Sequence, residues 1–330
     1  MTTRESFSKE YLRRRIDTRG SYEDLLTFPR YFDMETVNAC NARCPMCTID
    51  DWQRDSPTMK DELFQKIADQ MFPHAETIKR VNLYRDGEPL LDKKMPKRIG
   101  ILKAGGIREV CISTNVALLD ERRSTAILEA GLDSIILSID SLKKDVFEAI
   151  RVRLNFEEVM ENALRFIELR DKIRPSCQIR VRMVRQDSNK DEWPEYVRFW
   201  RPKLQASDRV SYHNIHNWGG QLNHFKAVED SREPNLPCVA LWSLMVIFAD
   251  GRVPLCNVDY NNLFPTGDAT LQSLEEIWRG KVANERRSLH LKGEKNCISL
   301  CTNCNVWDEP SDVRHVSGEF ASATSIPTAL

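Results

Sequence analysis

Short apolar runs alternate with amphipathic stretches from about residue 32 to residue 215. The runs have the length of buried strands: YFDMETV, IKRVNLY, REVCIS, DSIILSI, QIRVRMV and RVSYHN. The stretches between them repeat apolar residues at helical spacing, as in MKDELFQKIADQMF, ERRSTAILEAG and NFEEVMENALRFIELR. Because parallel strands need a crossover connection, the alternation predicts an α/β fold built on a parallel sheet. Six units fit a partial, TIM-like (β/α)6 barrel better than the full eight-stranded one.

The later chain has a different pattern, which begins near HNIHNWGGQLNHF. There, LMVIFADGRVPLC is typical of a hairpin closed by an Asp250-Gly251 turn, and SLEEIWRGKVANERRSL predicts one helix before the last cysteines. These features predict a small α+β domain that carries cysteines. We expect four segments: an N-terminal extension (1–31), the barrel (32–215), the cysteine-bearing domain (216–309) and a poorly ordered tail (310–330).

Composition excludes several classes of protein. The chain has 48 basic and 49 acidic residues and a net charge of -1, which argues against binding to nucleic acid or to an anionic membrane. No apolar run is long enough to span a bilayer, and the polar start MTTRESFSKEYLRRRIDTRG lacks the apolar core of a secretory signal. We therefore expect a cytoplasmic protein. In that reducing compartment, ten cysteines are better candidates for metal ligands than for disulfides.

Three of these cysteines lie in one loop, NACNARCPMCTID, as Cys40, Cys44 and Cys47. The loop follows the first predicted strand, at the carboxyl end where such folds hold their chemistry. Three thiolates can hold three irons of a four-iron cube and leave the fourth iron open, whereas structural zinc normally takes four protein ligands. The spacing therefore favours an iron–sulfur cluster over zinc or unligated thiols.

In this loop and its position, the chain resembles the radical S-adenosylmethionine (SAM) superfamily. Met46 stands where the family usually has an aromatic residue before the third cysteine. The resemblance implies that the open iron of a [4Fe-4S] cluster binds the amino and carboxylate groups of SAM. It also implies that a 5′-deoxyadenosyl radical forms after electron transfer from an external reductant such as flavodoxin or ferredoxin.

Further segments resemble the family's SAM-binding motifs. In YRDGEPLL, residues Gly87, Glu88 and Pro89 match the Gly-Gly-Glu-Pro loop that contacts the SAM amino group, while Asp86 replaces the first glycine. From the residues alone, this stretch is also typical of a turn. Ser113 and Asn115 in CISTNV resemble the family segment that meets the ribose of SAM. Ser138 in LSIDS is a candidate to face the cofactor or the substrate, and Arg182 in IRVRMV is either a partner of the SAM carboxylate or an ion-paired surface residue.

A second set of cysteines follows the predicted barrel: Cys238, Cys256, Cys301 and Cys304. Spacing alone allows either zinc or a second iron–sulfur cluster. The stretch from Cys238 through Gly251 to Cys256 resembles the hairpin of the twitch domain, a shortened SPASM domain of radical SAM enzymes. That resemblance implies an auxiliary [4Fe-4S] cluster held by these four thiols.

The cysteine layout resembles that of the radical dehydrogenases of aminoglycoside and aminocyclitol biosynthesis. It implies oxidation of a secondary alcohol to a ketone, with the auxiliary cluster as electron acceptor and an aminocyclitol or aminoglycoside as substrate. Two alternatives remain: a sugar epimerase in which Cys297 donates a hydrogen atom, and a peptide-modifying SPASM enzyme. Asp259 is a candidate base or the start of a turn, and His213 and His216 are candidates to reach a substrate or to fill polar roles.

Overall fold

A computed structural model describes residues 4–55, 57–222, 236–302 and Cys304. The main sheet has the strand order β6-β5-β4-β3-β2-β1-β7, and every neighbouring pair is parallel. Its strands are β1 Tyr31–Met34, β2 Arg80–Asn82, β3 Val110–Thr114, β4 Ser134–Ser138, β5 Gln178–Arg185, β6 Arg209–Asn214 and β7 Leu244–Ile247. The predicted α/β fold and its six barrel strands are therefore confirmed.

Helices connect the strands of the sheet and cover it. In the described residues they are α1 Arg4–Ile16, α2 Asp61–Met71, α3 Met95–Ala104, α4 Glu121–Glu129, α5 Lys144–Ile150, α6 Phe156–Ile173, α7 Trp193–Trp200, α8 Ala240–Ser243, α9 Leu274–Arg279, α10 Lys281–Lys292 and α11 Ser299–Thr302. None of these helices combines the length and apolar character needed to cross a bilayer. All five residues of β4 are buried, as expected for a parallel strand covered on both faces.

The predicted hairpin around Asp250 is correct about the turn and wrong about the strand pairing. Gly251 adopts the left-handed conformation with φ 93°, and its N–H donates to the Phe248 carbonyl at 2.9 Å. The strand before the turn, β7, pairs with β1 and becomes the seventh strand of the main sheet. The strand after it, β8 (Arg252–Val253), instead pairs antiparallel with β9 (Gly267–Asp268).

The single helix predicted after the turn is also wrong, because it is two helices. Gly280 separates α9 from α10 with an extended backbone (φ -65°, ψ 162°). A Cβ atom at this position would lie 2.7 Å from the Glu276 carbonyl oxygen, so the break requires glycine. The predicted tail, 310–330, lies outside the described residues.

A second, smaller core joins the two ends of the described chain. Leu12 and Ile16 of α1 are buried with Trp242 of α8 and Leu291 of α10. The indole N–H of Trp242 donates to the Tyr22 hydroxyl at 2.9 Å. The N-terminal segment therefore packs against the part of the chain that carries the later cysteines.

Candidate functional site

A cavity of about 390 Å³ lies at the carboxyl ends of the parallel strands. It contains most of the residues that the sequence singles out, whereas a larger open groove of about 890 Å³ beside α2 and α3 contains none of them. The expected ligands among its lining residues are Cys40, Cys44, Cys47, Gly87, Glu88, Ser113, Asn115, Ser138 and Arg182. Pro89 lies outside the lining and opens the short 3-10 helix Pro89–Leu91.

Backbone hydrogen bonds give the first cysteine loop its shape. The Cys47 N–H donates to the Cys44 carbonyl at 2.9 Å, which closes a tight turn between two of the thiols. The Arg43 guanidinium donates to the carbonyls of Cys40 and Ala42 at 2.9 and 2.8 Å. These contacts shape the loop from within, and all three of its cysteines line the cavity.

The environment of the three thiols opposes their ionisation. Burial raises the pKa of Cys40 and Cys44, and it raises the pKa of Cys47 to about 11. Neighbouring thiols add to the increases at Cys40 and Cys47, and Asp140 adds to the increase at Cys44. The Arg151 guanidinium, 3.9 Å from the Cys44 sulfur, lowers all three pKa values. Bound iron would supply the positive charge that thiolates need at such a site.

The ligand chemistry of this loop fits an iron–sulfur cluster. Within the described residues, no three His, Cys, Asp or Glu side chains lie close enough to share one metal ion. Each thiolate ligand of a four-iron cube binds its own iron, so the ligands of a cube lie farther apart than those of a single ion. The three cysteines that line one cavity therefore meet the requirement of a cube with one open iron.

The loop around Gly87 approaches the cysteine loop backbone to backbone. A Cβ atom at Gly87 would lie 2.4 Å from the Val37 carbonyl oxygen and 2.6 Å from the Ala39 carbonyl oxygen. The next residue, Glu88, donates its N–H to the same Ala39 carbonyl at 2.8 Å. Only glycine permits this approach, which fixes the position of one loop relative to the other.

The Glu88 carboxylate binds the protein itself. It accepts hydrogen bonds from the Thr114 hydroxyl and the Asn115 N–H, both at 2.8 Å, and from the Leu90 N–H at 3.1 Å. Burial raises its pKa, and these donors act in the opposite direction. The sequence predicts that Glu88 contacts the cofactor, whereas in the structure its side chain positions the end of β3.

The ends of β3, β4 and β5 place polar groups around the cavity. The Asn115 amide donates to the Asn41 side-chain oxygen at 2.8 Å and lies 3.7 Å from the Cys40 sulfur. The Ser113 hydroxyl lies 3.4 Å from that of Ser138 and accepts from the Arg182 guanidinium at 3.3 Å. Because the two Ser113 contacts are long, a bound ligand can replace them with shorter hydrogen bonds.

A buried ion-pair network at the edge of the cavity was missed by sequence reasoning. Arg54 binds both oxygens of Glu35 at 2.9 and 2.8 Å, and it lies 3.5 Å from Asp86, which also pairs with Arg85. The Arg54 Nε–H donates to the Tyr260 carbonyl at 2.6 Å. The signal for this network was the charged residue, Asp86, in place of the family's first glycine.

Arg151 lines the cavity and was also missed by sequence reasoning. Its Nε–H donates to the Asp140 carboxylate at 2.6 Å, and one Nη lies beside Cys44. It follows α5 in a loop that carries no motif, so only the fold brings it to the thiols.

The second set of cysteines also forms one group. Burial raises the pKa of Cys238 to about 12, and it also raises the pKa of Cys256 and Cys301. The neighbouring thiols of the group add to each increase. Cys304 is buried beside them and contributes to these shifts. The Cys238 N–H donates to His290 Nδ1 at 3.1 Å, which anchors this group to α10.

The two candidate catalytic residues differ in their surroundings. The Asp259 carboxylate is buried and accepts hydrogen bonds from the N–H groups of Leu255, Leu263 and Phe264 at 3.3, 2.7 and 3.0 Å. These bonds give Asp259 a loop-forming role, and Asp259 is not among the residues that line the cavity. Cys297, at the end of the 3-10 helix Lys295–Cys297, is exposed and is not among the cavity residues.

The chain directly after Cys256 forms one wall of the cavity. Asn257 and Val258, directly after Cys256, line it, and the Gln221 amide holds the Val258 carbonyl at 2.8 Å. The indole N–H of Trp218 donates to the Met46 carbonyl at 3.0 Å. The second thiol group is therefore one residue from the wall of the cavity that holds the first.

Comparison with known proteins assigns both cysteine-bearing regions. Residues 34–183 match the family model of the Radical SAM superfamily, and residues 238–305 match that of the SPASM iron-sulfur cluster-binding domain. A GTP 3′,8-cyclase of Chlorobaculum tepidum is 32% identical over 175 residues, which are 52% of this chain and 50% of that protein. The chain thus spans about half the length of this relative.

Two further comparisons extend over most of the chain. An S-adenosyl-L-methionine-dependent 2-deoxy-scyllo-inosamine dehydrogenase of Niallia circulans is 22% identical over 274 residues, 83% of this chain and 91% of that protein. The crystal structure of BtrN in complex with AdoMet and 2-DOIA has a TM-score of 0.58 at 20% identity, over 84% of this chain and 93% of that one. At this identity the structural likeness establishes a shared fold.

Proposed function

We propose that this chain, a member of the radical SAM superfamily with a C-terminal SPASM domain, oxidises a secondary alcohol of an aminocyclitol-type molecule to a ketone. In this proposal Cys40, Cys44 and Cys47 hold the SAM-binding cluster, and the later four-thiol group holds the auxiliary cluster. When bound, SAM and the reduced first cluster supply a radical that removes a hydrogen atom from carbon, and the auxiliary cluster supplies an electron acceptor.

The observation that carries the proposal is the cavity wall formed by Asn257 and Val258. These residues follow Cys256 directly and face the cavity that the first cysteine loop lines. A substrate radical in the cavity would lie close to an acceptor held by Cys256. Loss of the electron and of the hydroxyl proton then leaves a ketone, and no nicotinamide is needed; the sequence has no Gly-x-Gly-x-x-Gly fingerprint for one.

The cavity residues also fit a substrate that carries an amino group. Asp33 lines the cavity, and in the described residues its carboxylate accepts one hydrogen bond, from the Asn82 amide at 2.6 Å. Burial raises its pKa, and an ammonium group beside it would favour the ionised form. We assign Asp33 to the substrate amine, and Arg182, with Ser113 and Ser138, to the SAM carboxylate.

The likeness to the Niallia circulans dehydrogenase supports the substrate class, because it covers most of both chains. The Chlorobaculum tepidum cyclase is more similar but is matched over only half of its length. We therefore take 2-deoxy-scyllo-inosamine as the first compound to test.

The test is anaerobic reconstitution with iron and sulfide, followed by reaction with SAM, a reductant and 2-deoxy-scyllo-inosamine or related aminocyclitols. We expect a product lighter than its substrate by two hydrogens, formed with 5′-deoxyadenosine. An Asp33→Asn variant should bind the amine more weakly while it still cleaves SAM. An unchanged product mass, with deuterium gained from heavy water, would replace the dehydrogenase with an epimerase.

A further inference from the structure

Two histidines face the cavity and have no part in the assignments above. His213 lies on β6 and His216 in the turn after it, and both line the cavity. Burial lowers the pKa of both, that of His216 to about 4, and nearby Arg182 lowers both further. Both imidazoles are therefore neutral near pH 7, where a neutral imidazole offers one donor and one acceptor.

The surroundings of His216 fix its tautomer. Its Nδ1 accepts the backbone N–H of Trp218 at 3.3 Å. In the neutral ring the proton then resides on Nε2, so His216 can donate a hydrogen bond to a ligand and cannot accept a proton from it.

The His213 imidazole, unlike that of His216, can accept a proton from a ligand. It lines the cavity and has no hydrogen-bond partner among the described residues. A lone pair therefore remains available to a molecule in the cavity.

The spacing of the two rings fits one substrate oxygen. Their centroids are 6.4 Å apart. An oxygen that makes hydrogen bonds of about 2.8 Å to both rings at a roughly tetrahedral angle requires about this separation.

The carboxylates of the cavity are less suited to take a proton. Asp86 is held by Arg54 and Arg85, and Glu88 accepts three hydrogen bonds from the protein. Asp33 is the remaining carboxylate, and the proposed function assigns it to the substrate amine.

We propose that His213 is the general base that removes the hydroxyl proton of the substrate alcohol, while His216 donates a hydrogen bond to the same oxygen. The inference rests on the proposed function. The O–H bond breaks and an N–H bond forms on His213, the hydrogen atom on carbon leaves to the SAM-derived radical, and the remaining electron passes to the auxiliary cluster. The carbon–oxygen bond becomes a carbonyl, so protons and electrons balance.

The test compares His213→Gln with the parent enzyme and with His74→Gln, using reconstituted holoenzyme and 2-deoxy-scyllo-inosamine. His74 stacks on Phe28 with ring centroids 3.9 Å apart and is not a cavity residue, so it controls for loss of an imidazole. We expect His213→Gln to slow ketone formation on the order of 100-fold or more. Binding of the substrate, measured by calorimetry with SAM present and no reductant, should change less than about threefold, and 5′-deoxyadenosine should still form.

Two results separate a base from a structural histidine. Added imidazole should restore ketone formation to His213→Ala, because it can occupy the cleared volume and accept the proton. Electron paramagnetic resonance should find less reduced auxiliary cluster during turnover of His213→Gln than of the parent.

The base role is overturned if His213→Gln makes ketone at a rate close to that of the parent. It is also overturned if substrate binding is lost together with turnover and imidazole restores nothing. If the parent cleaves SAM but forms no ketone from any aminocyclitol tested, the proposed function fails first, and the base role fails with it.

Discussion

Replacement of Arg54 by methionine should destabilise the protein strongly. The Arg54 and Glu35 side chains are 2% and 0% exposed, and the guanidinium also lies 3.6 Å from the centre of the Phe248 ring. Methionine retains much of the volume but leaves Glu35 with the N–H of Ala249, at 3.1 Å, as its remaining described partner. Removal of one member of a buried ion pair costs about 3–5 kcal/mol.

That cost predicts a measurable shift of the melting temperature. With an unfolding entropy of about 2.1 cal/mol/K per residue over 330 residues, the Tm should fall by about 4–7 °C. The assay is thermal unfolding followed by circular dichroism under anaerobic conditions. Arg279→Met is the matched control, because Arg279 pairs with Glu275 on an exposed helix face and should lower the Tm by less than about 1 °C.

A double variant distinguishes the ion pair from simple packing. Glu35→Gln combined with Arg54→Met removes both charges, so we expect it to be more stable than the sum of the two single changes implies. If Arg54→Met melts within about 1 °C of the parent, or if the two changes add without coupling, the reasoning from buried charge is refuted.

Three other predictions concern the site. A variant with alanine at all three cysteines of the first loop should form no 5′-deoxyadenosine yet keep about four irons and four sulfides; zinc without sulfide would contradict the auxiliary cluster. Gly87→Ala should slow SAM cleavage on the order of 100-fold, because the alanine Cβ would lie 2.4 Å from the Val37 carbonyl oxygen and push the two loops apart. An unaltered rate would disprove the close approach of the Gly87 loop to the cysteine loop. Cys297→Ala should keep its iron content and most ketone formation, because the thiol is exposed and is not among the cavity residues; loss of product with intact SAM cleavage would restore the epimerase alternative.

The main sheet could be predicted because each barrel strand is an apolar run followed by its own crossover helix. The seventh strand could not be predicted, since LMVI before Asp250-Gly251 has the same local pattern whether it forms a hairpin or pairs with β1. Pairing with β1 joins residues more than 200 positions apart, and no local pattern records such a contact. For the same reason the packing of α1 against α10 was not foreseen.

In the candidate site, motif residues were predictable and their roles were less so. The resemblance to a family placed Glu88 at the cofactor, but it could not indicate that the Glu88 carboxylate would bind Thr114 and Asn115. Arg151 and Arg54 were missed because a charged residue in a loop has no periodicity, and its partner is chosen by the fold.

The Arg54 network explains how one departure from the family pattern is accommodated. Asp86 replaces a glycine in a buried loop, where an unpaired carboxylate would be costly. Arg54 and Arg85 compensate its charge, and Arg54 also holds Glu35 after β1 and the Tyr260 carbonyl in the C-terminal part. Arg54 thereby connects the start of the cysteine loop, the Gly87 loop and the chain after Cys256 through one buried side chain. In the proposed function, the acceptor held by Cys256 takes its electron from a substrate radical in the cavity, so a fixed position of this chain segment relative to the cavity serves that transfer.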